Sequence, residues 1–347
     1  MKTGTDGVQR KLIGLYGSLL MFNALAWIWA GAAFHGYPLL LGVALLAYSL
    51  GLRHAVDADH IAAIDNVTRK LMQAGKRPVS VGLFFSLGHS TVVMLASILL
   101  ATVASAMQGR FHQLKEVGGI VGTSVSALFL FGIALMNILI LRSVYHVFRR
   151  VRSGGAYIVE DADGLLASEG VLTRFFRPLF KLITRSWHMY PLGILFGLGF
   201  DTASEIGVLG ISATQATKGL PIWSILAFPL LFTAGMSLID TLDGTLMVGA
   251  YGWAFSSPIR KLYYNMTITL VSVVIAILVG SIEALGMLAG KMNLRGSLWD
   301  VVNAVNANFG IVGYVIIGVF LVSWLLAVAI YRGNRYDGIK GKRPLSH

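Results

Sequence analysis

Residues 53–61 read Arg53-His54-Ala55-Val56-Asp57-Ala58-Asp59-His60-Ile61 and place five ionisable side chains in an apolar run, residues 39–64, that is long enough to cross a bilayer. Charged groups at bilayer depth cost from about 2.5 kcal/mol each to more than about 10 kcal/mol, so they persist mainly where they face a cavity or a partner. Two imidazoles and two carboxylates among them are metal ligands by type. The stretch therefore predicts a transmembrane segment that also carries the function.

The rest of the chain shares this apolar character. Of its 347 residues, 56% are hydrophobic and 13% are charged, and the mean hydropathy is +0.72. Apolar stretches repeatedly exceed the roughly 20 residues that a membrane-spanning helix needs. We predict an all-α polytopic membrane protein, with residues 1–347 forming a single transmembrane transport domain of about eight helices. The predicted spans cover residues 12–34, 39–64, 79–107, 118–141, 189–211, 222–254, 262–290 and 308–331.

The distribution of charge predicts the orientation in the membrane. The formal net charge is +12, and 22 of the 28 Lys and Arg residues fall in the two tails and in alternate loops, against five in the other loops. By the positive-inside rule both termini are cytoplasmic. This alternation indicates the lipid bilayer, and no nucleic acid, as the partner. A cleaved signal is the alternative for the first span, but its apolar stretch exceeds the usual length of roughly 7 to 15 residues.

The longest loop, residues 142–188, is basic and is therefore predicted to be cytoplasmic. Towards its end Arg174, Arg177, Lys181 and Arg185 recur at helical spacing beside aromatic and apolar residues. This pattern is typical of an interfacial helix on the inner leaflet. Anchoring is favoured over recognition as its role.

An internal repeat is indicated by two pairs of spans. Gly51-Leu52 in span two has a counterpart in Gly197-Leu198 of span five, and the following spans share the pattern of residues 85–90 and 232–237, Phe-Ser-Leu-Gly-His-Ser against Phe-Thr-Ala-Gly-Met-Ser. The offset equals three helices, an odd number, so helices 2–4 and 5–7 would run in opposite directions. Inverted repeats of this kind are common in secondary transporters. Chance similarity among glycine-rich apolar helices is the alternative.

The ionisable residues of span two can share one cavity. On an ideal helix His54, Asp57 and His60 fall within a single arc of about 120°. Asp59 falls on the far side, so either it contacts a different neighbour or the helix is distorted there. Broken helices are common at transporter sites.

Other spans supply further candidate ligands. They are His89 in span three, Asp201 with Glu205 at i, i+4 in span five, and Asp240 with Asp243 at i, i+3 in span six. With Glu283 the predicted spans hold seven acidic residues and one cation, Arg53. Clustered carboxylates repel one another unless a cation binds, and a divalent cation fits this composition.

Five further polar residues at membrane depth are candidates for selectivity or support: Asn23, Arg53, Ser90, Thr202 and Glu283. Arg53 is favoured as a structural counter-ion, Asn23 as a hydrogen-bonding partner between helices, and Ser90 as a small residue for close packing. For Glu283 a structural or proton-handling role is as well supported as metal ligation.

The type of ligand narrows the choice of metal. The chain has no cysteine, which excludes disulfides, thiolate metal sites and cysteine catalysis. Imidazole with carboxylate suits Ni²⁺, Co²⁺, Zn²⁺ or Mn²⁺ better than Cu⁺, whereas Mg²⁺ and Ca²⁺ favour oxygen alone. This chemistry does not choose among the four ions.

The motif of span two resembles that of the nickel/cobalt transporter family, in which a histidine is followed after four residues by Asp-His. Residues 85–93, 198–205 and 235–243 also resemble motifs of that family, and residues 65–72 and 185–191 resemble in particular the bacterial high-affinity nickel permeases. Ser204, where Thr is common, is the one departure. The resemblance carries over functional positions to His54, Asp57, Asp59, His60, His89, Asp201, Glu205, Asp240 and Asp243.

The resemblance implies uptake of Ni²⁺, with Co²⁺ as a further substrate, across the bacterial inner membrane for metalloenzymes such as hydrogenase or urease. The metal is then a substrate and no cofactor is implied. The sequence lacks a Gly-x-x-x-x-Gly-Lys-[Ser/Thr] loop, so we expect transport driven by gradients, without an ATPase subunit. The alternatives are a cobalt-preferring importer, an exporter of the same metals and an intramembrane metal enzyme. The sequence leaves the oligomeric state open.

Overall fold

The computed structural model of the chain describes residues 2–103, 123–135, 137–139, 183–198, 203–254 and 258–333, with a few single positions between 120 and 149. Every regular element within these residues is helical, as the composition predicts. The basic loop 150–182 and the C-terminal tail from residue 334 lie outside the described residues.

Twelve α-helices and one short 3₁₀ turn, Ser186–His188, make up the described part of the chain. In order they are α1 (Lys2–Ala33), α2 (Pro38–His54), α3 (Ala58–Gln73), α4 (Val81–Val103), α5 (Thr123–Leu139), α6 (Met189–Gly197), α7 (Ala203–Thr217), α8 (Ile222–Ile225), α9 (Ala227–Ala254), α10 (Pro258–Met292), α11 (Ser297–Ala307) and α12 (Phe309–Gly333).

Four stretches of the described residues are long and apolar enough to cross a membrane: Gly7–Ala33, Val81–Thr102, Ile222–Gly252 and Thr269–Met292. Two bent pairs of helices raise the number to as many as six. They are α2 with α3, bent by 52°, and α11 with the first part of α12, bent by 76°. The chain is therefore a helical protein with four to six candidate spans, which fits a multi-pass membrane protein.

The second predicted span is a broken helix. α2 ends at His54, and α3 begins after Asp57, whose backbone is extended with φ −65° and ψ 147°. Of the two alternatives that the sequence left open for the region of Asp59, the distorted helix is therefore confirmed. A helix break at membrane depth leaves backbone groups that must be satisfied within the protein. Here the amides of Val56 and Asp57 donate to the carbonyls of Arg53 and His54, at 3.0 Å each.

The helix after the break also continues further than the sequence indicated. The predicted spans leave residues 65–78 as a loop. α3 instead extends to Gln73, and residues 61–69 are buried, so the loop begins nine residues later than predicted. Arg69 is only 1% exposed. The prediction that Arg53 is the one cation within the spans is therefore wrong. Arg69 is tolerated because neighbouring side chains accept hydrogen bonds from its guanidinium.

Two close helix crossings bring the elements of the site together. At the crossing of α2 with α9, a Cβ on Gly51 would overlap the carbonyl of Phe232, and a Cβ on Gly235 would lie 2.7 Å from the carbonyl oxygen of Tyr48. At the crossing of α4 with α6, glycines 88 and 193 are equally enclosed by the backbone of the opposite helix. Small residues let helices approach closely within a membrane, where packing drives association.

Candidate metal site

The break between α2 and α3 brings together the ligands predicted in span two. His54 is the last residue of α2, Asp57 is the N-cap of α3, and His60 lies in the first turn of α3. His54 Nδ1 and Asp57 Oδ2 are 3.0 Å apart, and both residues are buried. This contact holds the ring of His54 and leaves its Nε2 for other partners.

Three imidazoles form the centre of the site. The rings of His54, His60 and His89 have centroids 4.6 to 4.9 Å apart, and one nitrogen of each lies within 4.8 Å of the other two. His54 Nε2 and His89 Nε2 are 2.9 Å apart. Metal–nitrogen bonds of about 2.1 Å place neighbouring ligand atoms roughly 3 to 4 Å apart, so this cluster is compact enough to surround one ion after small adjustments. We call these three residues the histidine cluster.

Each imidazole of the histidine cluster contacts one carboxylate. Besides the contact of His54 with Asp57, His89 Nε2 lies 2.8 Å from Glu205 Oε1, and His60 Nδ1 lies 3.3 Å from both carboxylate oxygens of Asp240. Carboxylates that contact imidazoles in this way fix ring orientation and make the rings stronger ligands. The carboxylates come from three elements, the start of α3, α7 and α9.

Two nitrogens of the histidine cluster have no hydrogen-bond partner among the described residues. They are Nε2 of His60 and Nδ1 of His89, and both are buried. A buried polar atom left without a partner costs about 1 to 3 kcal/mol, so such atoms usually indicate a ligand or a functional role. Nitrogen lone pairs in a buried anionic pocket are suited to a cation.

Aromatic rings form an apolar wall around the histidine cluster. The ring of Phe85 meets His60 edge to face at 4.8 Å, and the ring of Phe232 lies 5.4 Å from His54. Phe196 packs against the other side of Phe85. Such a wall excludes water, which strengthens electrostatic interactions with a bound ion.

Two of the remaining predicted ligands, Asp59 and Asp243, lie within the described residues. Asp59 follows the N-cap of α3 and interacts electrostatically with His60, and Asp243 lies one turn beyond Asp240 on α9. Oδ2 of Asp243 is buried and has no hydrogen-bond partner within the described residues. Asp201 and Thr202 lie outside the described residues.

The predicted supporting residues that the structure describes differ in their surroundings. Arg53 is exposed. Asn23 donates to the carbonyls of Leu19 and Ala234 and accepts from Tyr48, so it links α1, α2 and α9 as predicted for a hydrogen bond between helices. Glu283 accepts from Ser126 between α10 and α5. Ser90 is buried beside His89 on α4.

A second buried polar cluster was missed by the sequence analysis. Its seven side chains, which we call the inner network, are Asp65, Asn66, Arg69, Asn137, Tyr251, Thr269 and Ser272. Residues 65, 66 and 69 continue the helical spacing of span two, and that periodicity is the signal that could have placed them within the helix. Their polarity instead indicated a loop.

Comparisons with known proteins identify the family of the chain. The family model described as high-affinity nickel-transport protein, NicO, matches residues 40–330. The chain belongs to the NicO family. It is 62% identical to a high-affinity nickel transport protein of Cupriavidus necator over 333 residues, which cover 96% of this chain and 95% of that protein. This confirms the resemblance read from the motifs.

Two further NicO relatives widen the comparison. A hydrogenase nickel incorporation protein, HupN, of Bradyrhizobium diazoefficiens is 51% identical over 92% of this chain and 83% of its own length. A cobalt transport protein, NhlF, of Rhodococcus rhodochrous is 39% identical over 91% of both chains. The family model and the relative from Cupriavidus necator are both described as nickel transport proteins, so the chain is a transport protein and not an enzyme. No solved structure matches the chain significantly.

Proposed function

We propose that this NicO chain is a secondary transporter that imports Ni²⁺ and binds it at the histidine cluster. The observation that carries the proposal is three buried imidazoles within 4.8 Å, each in contact with its own carboxylate. Neutral imidazole and carboxylate are ligands that Ni²⁺ accepts, and the two unpartnered nitrogens leave lone pairs for it. Family membership and the names of the relatives point the same way.

Cobalt is the second substrate that we propose. The ligand chemistry of the histidine cluster suits Co²⁺ as well as Ni²⁺, and one relative is named a cobalt transport protein. The name of another relative links nickel to hydrogenase, which supports a role in supplying metalloenzymes. Nickel is favoured because most of the similar proteins carry nickel in their names.

We assign the complete ligand set to His54, His60 and His89 with Asp57, Glu205 and Asp240 around them, and with Asp59, Asp201 and Asp243 on the path of the ion. Asp243 supports the last part, because its buried Oδ2 offers an acceptor one helical turn from Asp240. A path of this kind lets the ion exchange one carboxylate for the next while it moves between the halves of the protein.

We propose eight spans with both termini in the cytoplasm, arranged as an inverted repeat of helices 2–4 and 5–7. The two glycine crossings support the repeat. In this repeat α2 is equivalent to α6, and α4 is equivalent to α9. The crossing of α2 with α9 is therefore equivalent to the crossing of α6 with α4. Glycines mark both crossings, Gly51 and Gly235 at one and Gly88 and Gly193 at the other, although Gly193 lies one turn before Gly197, which the sequence pairs with Gly51.

The whole chain, residues 1–347, forms one transport domain in this proposal, and it lies in the bacterial inner membrane. The basic loop 142–188, with an interfacial helix inside it, and both basic tails face the cytoplasm. An inside-negative potential of 100 mV gives a dication about 4.6 kcal/mol, which allows roughly thousandfold accumulation without ATP hydrolysis. No ATPase subunit is needed for that gain.

Accumulation of ⁶³Ni²⁺ by cells that produce this chain tests the proposal. We expect uptake at nanomolar nickel, loss of uptake in His54→Ala and His60→Ala, and normal uptake in the control His35→Ala, because His35 is exposed between α1 and α2. Co²⁺ should compete, and Zn²⁺ and Mn²⁺ should not. Lower nickel in the producing cells than in empty cells would indicate export, and unchanged nickel would overturn the proposal.

A further inference from the structure

The inner network joins α3 to three other helices through one arginine and one aspartate. The Arg69 guanidinium donates to Thr269 on α10 at 2.9 Å and to Asn66 at 2.8 Å. The same oxygen of Asn66 accepts from Asn137 on α5 at 2.7 Å. Arg69 and Asn137 therefore share Asn66 as an acceptor. Moving α3 away from α10 breaks the bond to Thr269, and moving it away from α5 breaks the bond from Asn137.

Asp65 makes the second half of the inner network. Its Oδ2 accepts from Ser272 on α10 at 2.9 Å, and its Oδ1 accepts from the hydroxyl of Tyr251 on α9. Asp65 and Arg69 are 0% and 1% exposed. The two opposite charges interact electrostatically although they form no direct ion pair. Their charges offset one another within α3, but their hydrogen bonds to Tyr251, Thr269 and Ser272 are kept only while α3 stays packed against α9 and α10.

The position of the inner network relates it to the path of the ion. α3 begins at the histidine cluster, and at 1.5 Å per residue Asp65 lies about 8 Å and Arg69 about 14 Å beyond His60 along the helix axis. A buried apolar layer follows, with Met72, Val79, Val248 and Tyr251 among its members. Lys76 and Arg77 then follow the end of α3. By the positive-inside rule, these basic residues indicate that this end of α3 faces the cytoplasm.

We propose that the inner network closes the cytoplasmic side of the transport path, with Asp65 and Arg69 as positioning residues that hold α3 against α9 and α10. This rests on the proposed import of a divalent cation. A dication that leaves the histidine cluster along α3 meets Asp65 first, and beyond it the buried guanidinium of Arg69 opposes its passage while the network is closed. Release requires α3 to separate from α9 and α10, which breaks its hydrogen bonds with Tyr251, Thr269 and Ser272.

Accessibility to a thiol reagent tests the closure, because the chain has no cysteine of its own. Thr68→Cys reports on the turn of α3 that carries the network, and Ser97→Cys on α4 is its matched control. Both native residues are completely buried, and neither hydroxyl has a partner among the described residues. Each cysteine is placed in the wild-type chain and in the double variant Asp65→Asn/Arg69→Gln, which removes both charges at once and leaves no buried charge uncompensated.

In inside-out membrane vesicles we expect the double variant to raise the labelling rate of Thr68→Cys by a membrane-impermeant reagent by about tenfold, and to leave Ser97→Cys unchanged. Equilibrium binding of ⁶³Ni²⁺ to the purified double variant should stay within about threefold of wild type, while uptake into cells falls by about tenfold or more. This split between binding and transport is expected for a residue that controls release.

Two results would overturn the proposed closure. One is an unchanged labelling rate at Thr68→Cys. The other is faster labelling at both cysteines, because a network that only stabilises the fold exposes both positions when it is weakened. The labelling needs no nickel, so a wild-type chain that moves no nickel would defeat the proposed function and leave the labelling result as a separate finding.

Discussion

The two buried polar clusters on α3 differ in how completely their hydrogen bonds are satisfied. The histidine cluster at the start of α3 leaves His60 Nε2 and His89 Nδ1 without partners within the described residues. In the inner network, one to two and a half turns further on, Asp65 accepts at both oxygens and both terminal nitrogens of Arg69 donate, so of these charged groups only Nε of Arg69 lacks a partner within the described residues. Burial is nearly complete in both.

This difference separates a binding site from a structural or gating cluster. A buried polar group without a partner is costly, and a ligand that binds there recovers the cost. A buried polar group with partners stabilises one arrangement of the helices and becomes costly only when that arrangement is broken. Variants of the histidine cluster should therefore change metal binding, and variants of the inner network should change folding or movement.

The largest expected effect is on the stability of the inner network. Replacing Arg69 alone, as Arg69→Met, leaves Asp65 buried without an opposite charge and should lower the free energy of unfolding by about 3 to 5 kcal/mol. Adding Asp65→Asn should restore part of that loss. Chemical unfolding in detergent measures both. A single variant as stable as wild type would mean that Arg69 does not compensate Asp65.

The histidine cluster should behave in the opposite way. His60→Leu removes a buried nitrogen, Nε2, that has no partner in the described part of the chain, but it also removes the contact of Nδ1 with Asp240, so we expect a loss of stability smaller than that of Arg69→Met. Affinity for Ni²⁺ should fall by about 100-fold or more, since a ligand is lost. Equilibrium binding of ⁶³Ni²⁺ checks the affinity, with His35→Leu as the control. A large loss of stability with unchanged affinity for Ni²⁺ would mean that His60 has a structural role.

A smaller effect is expected from the carboxylate that contacts His60. Asp240→Asn keeps the shape of the side chain but weakens its contact with Nδ1 of His60, so Ni²⁺ affinity should fall by about 10- to 100-fold. Glu283→Gln is the matched control, because Glu283 is buried and bonded to Ser126 away from the histidines. Should the two variants bind Ni²⁺ equally, Asp240 has no special role in orienting His60.

The smallest expected effect concerns the helix crossing that supports the histidine cluster from one side. Gly51→Ala places a Cβ against the carbonyl of Phe232 and should destabilise the protein by about 1 to 3 kcal/mol. Gly210→Ala on α7 meets open space and should have no such cost. Thermal unfolding of the two variants compares them directly. If both are as stable as wild type, the crossing tolerates separation of α2 and α9.

Much of the fold and of the candidate site followed from the sequence. The helical membrane character followed from long apolar stretches, and the metal-ligand types followed from His54, His60 and His89. The break after His54 was only one of two alternatives, because an ideal helix also placed the histidines on one face. Arg69 was assigned to a loop, because its hydrogen-bond partners cannot be predicted from the neighbouring sequence. One of them, Thr269, is 200 residues away.

The sequence by itself determined that this chain is a helical membrane protein of a nickel-transport family with nitrogen and oxygen ligands, because composition, residue type and motif are local properties. Only the tertiary structure decided which imidazole contacts which carboxylate and which charges are compensated. Those pairs join residues such as His60 with Asp240 and His89 with Glu205, 180 and 116 positions apart. Helix packing brings such residues together, and packing depends on the whole chain.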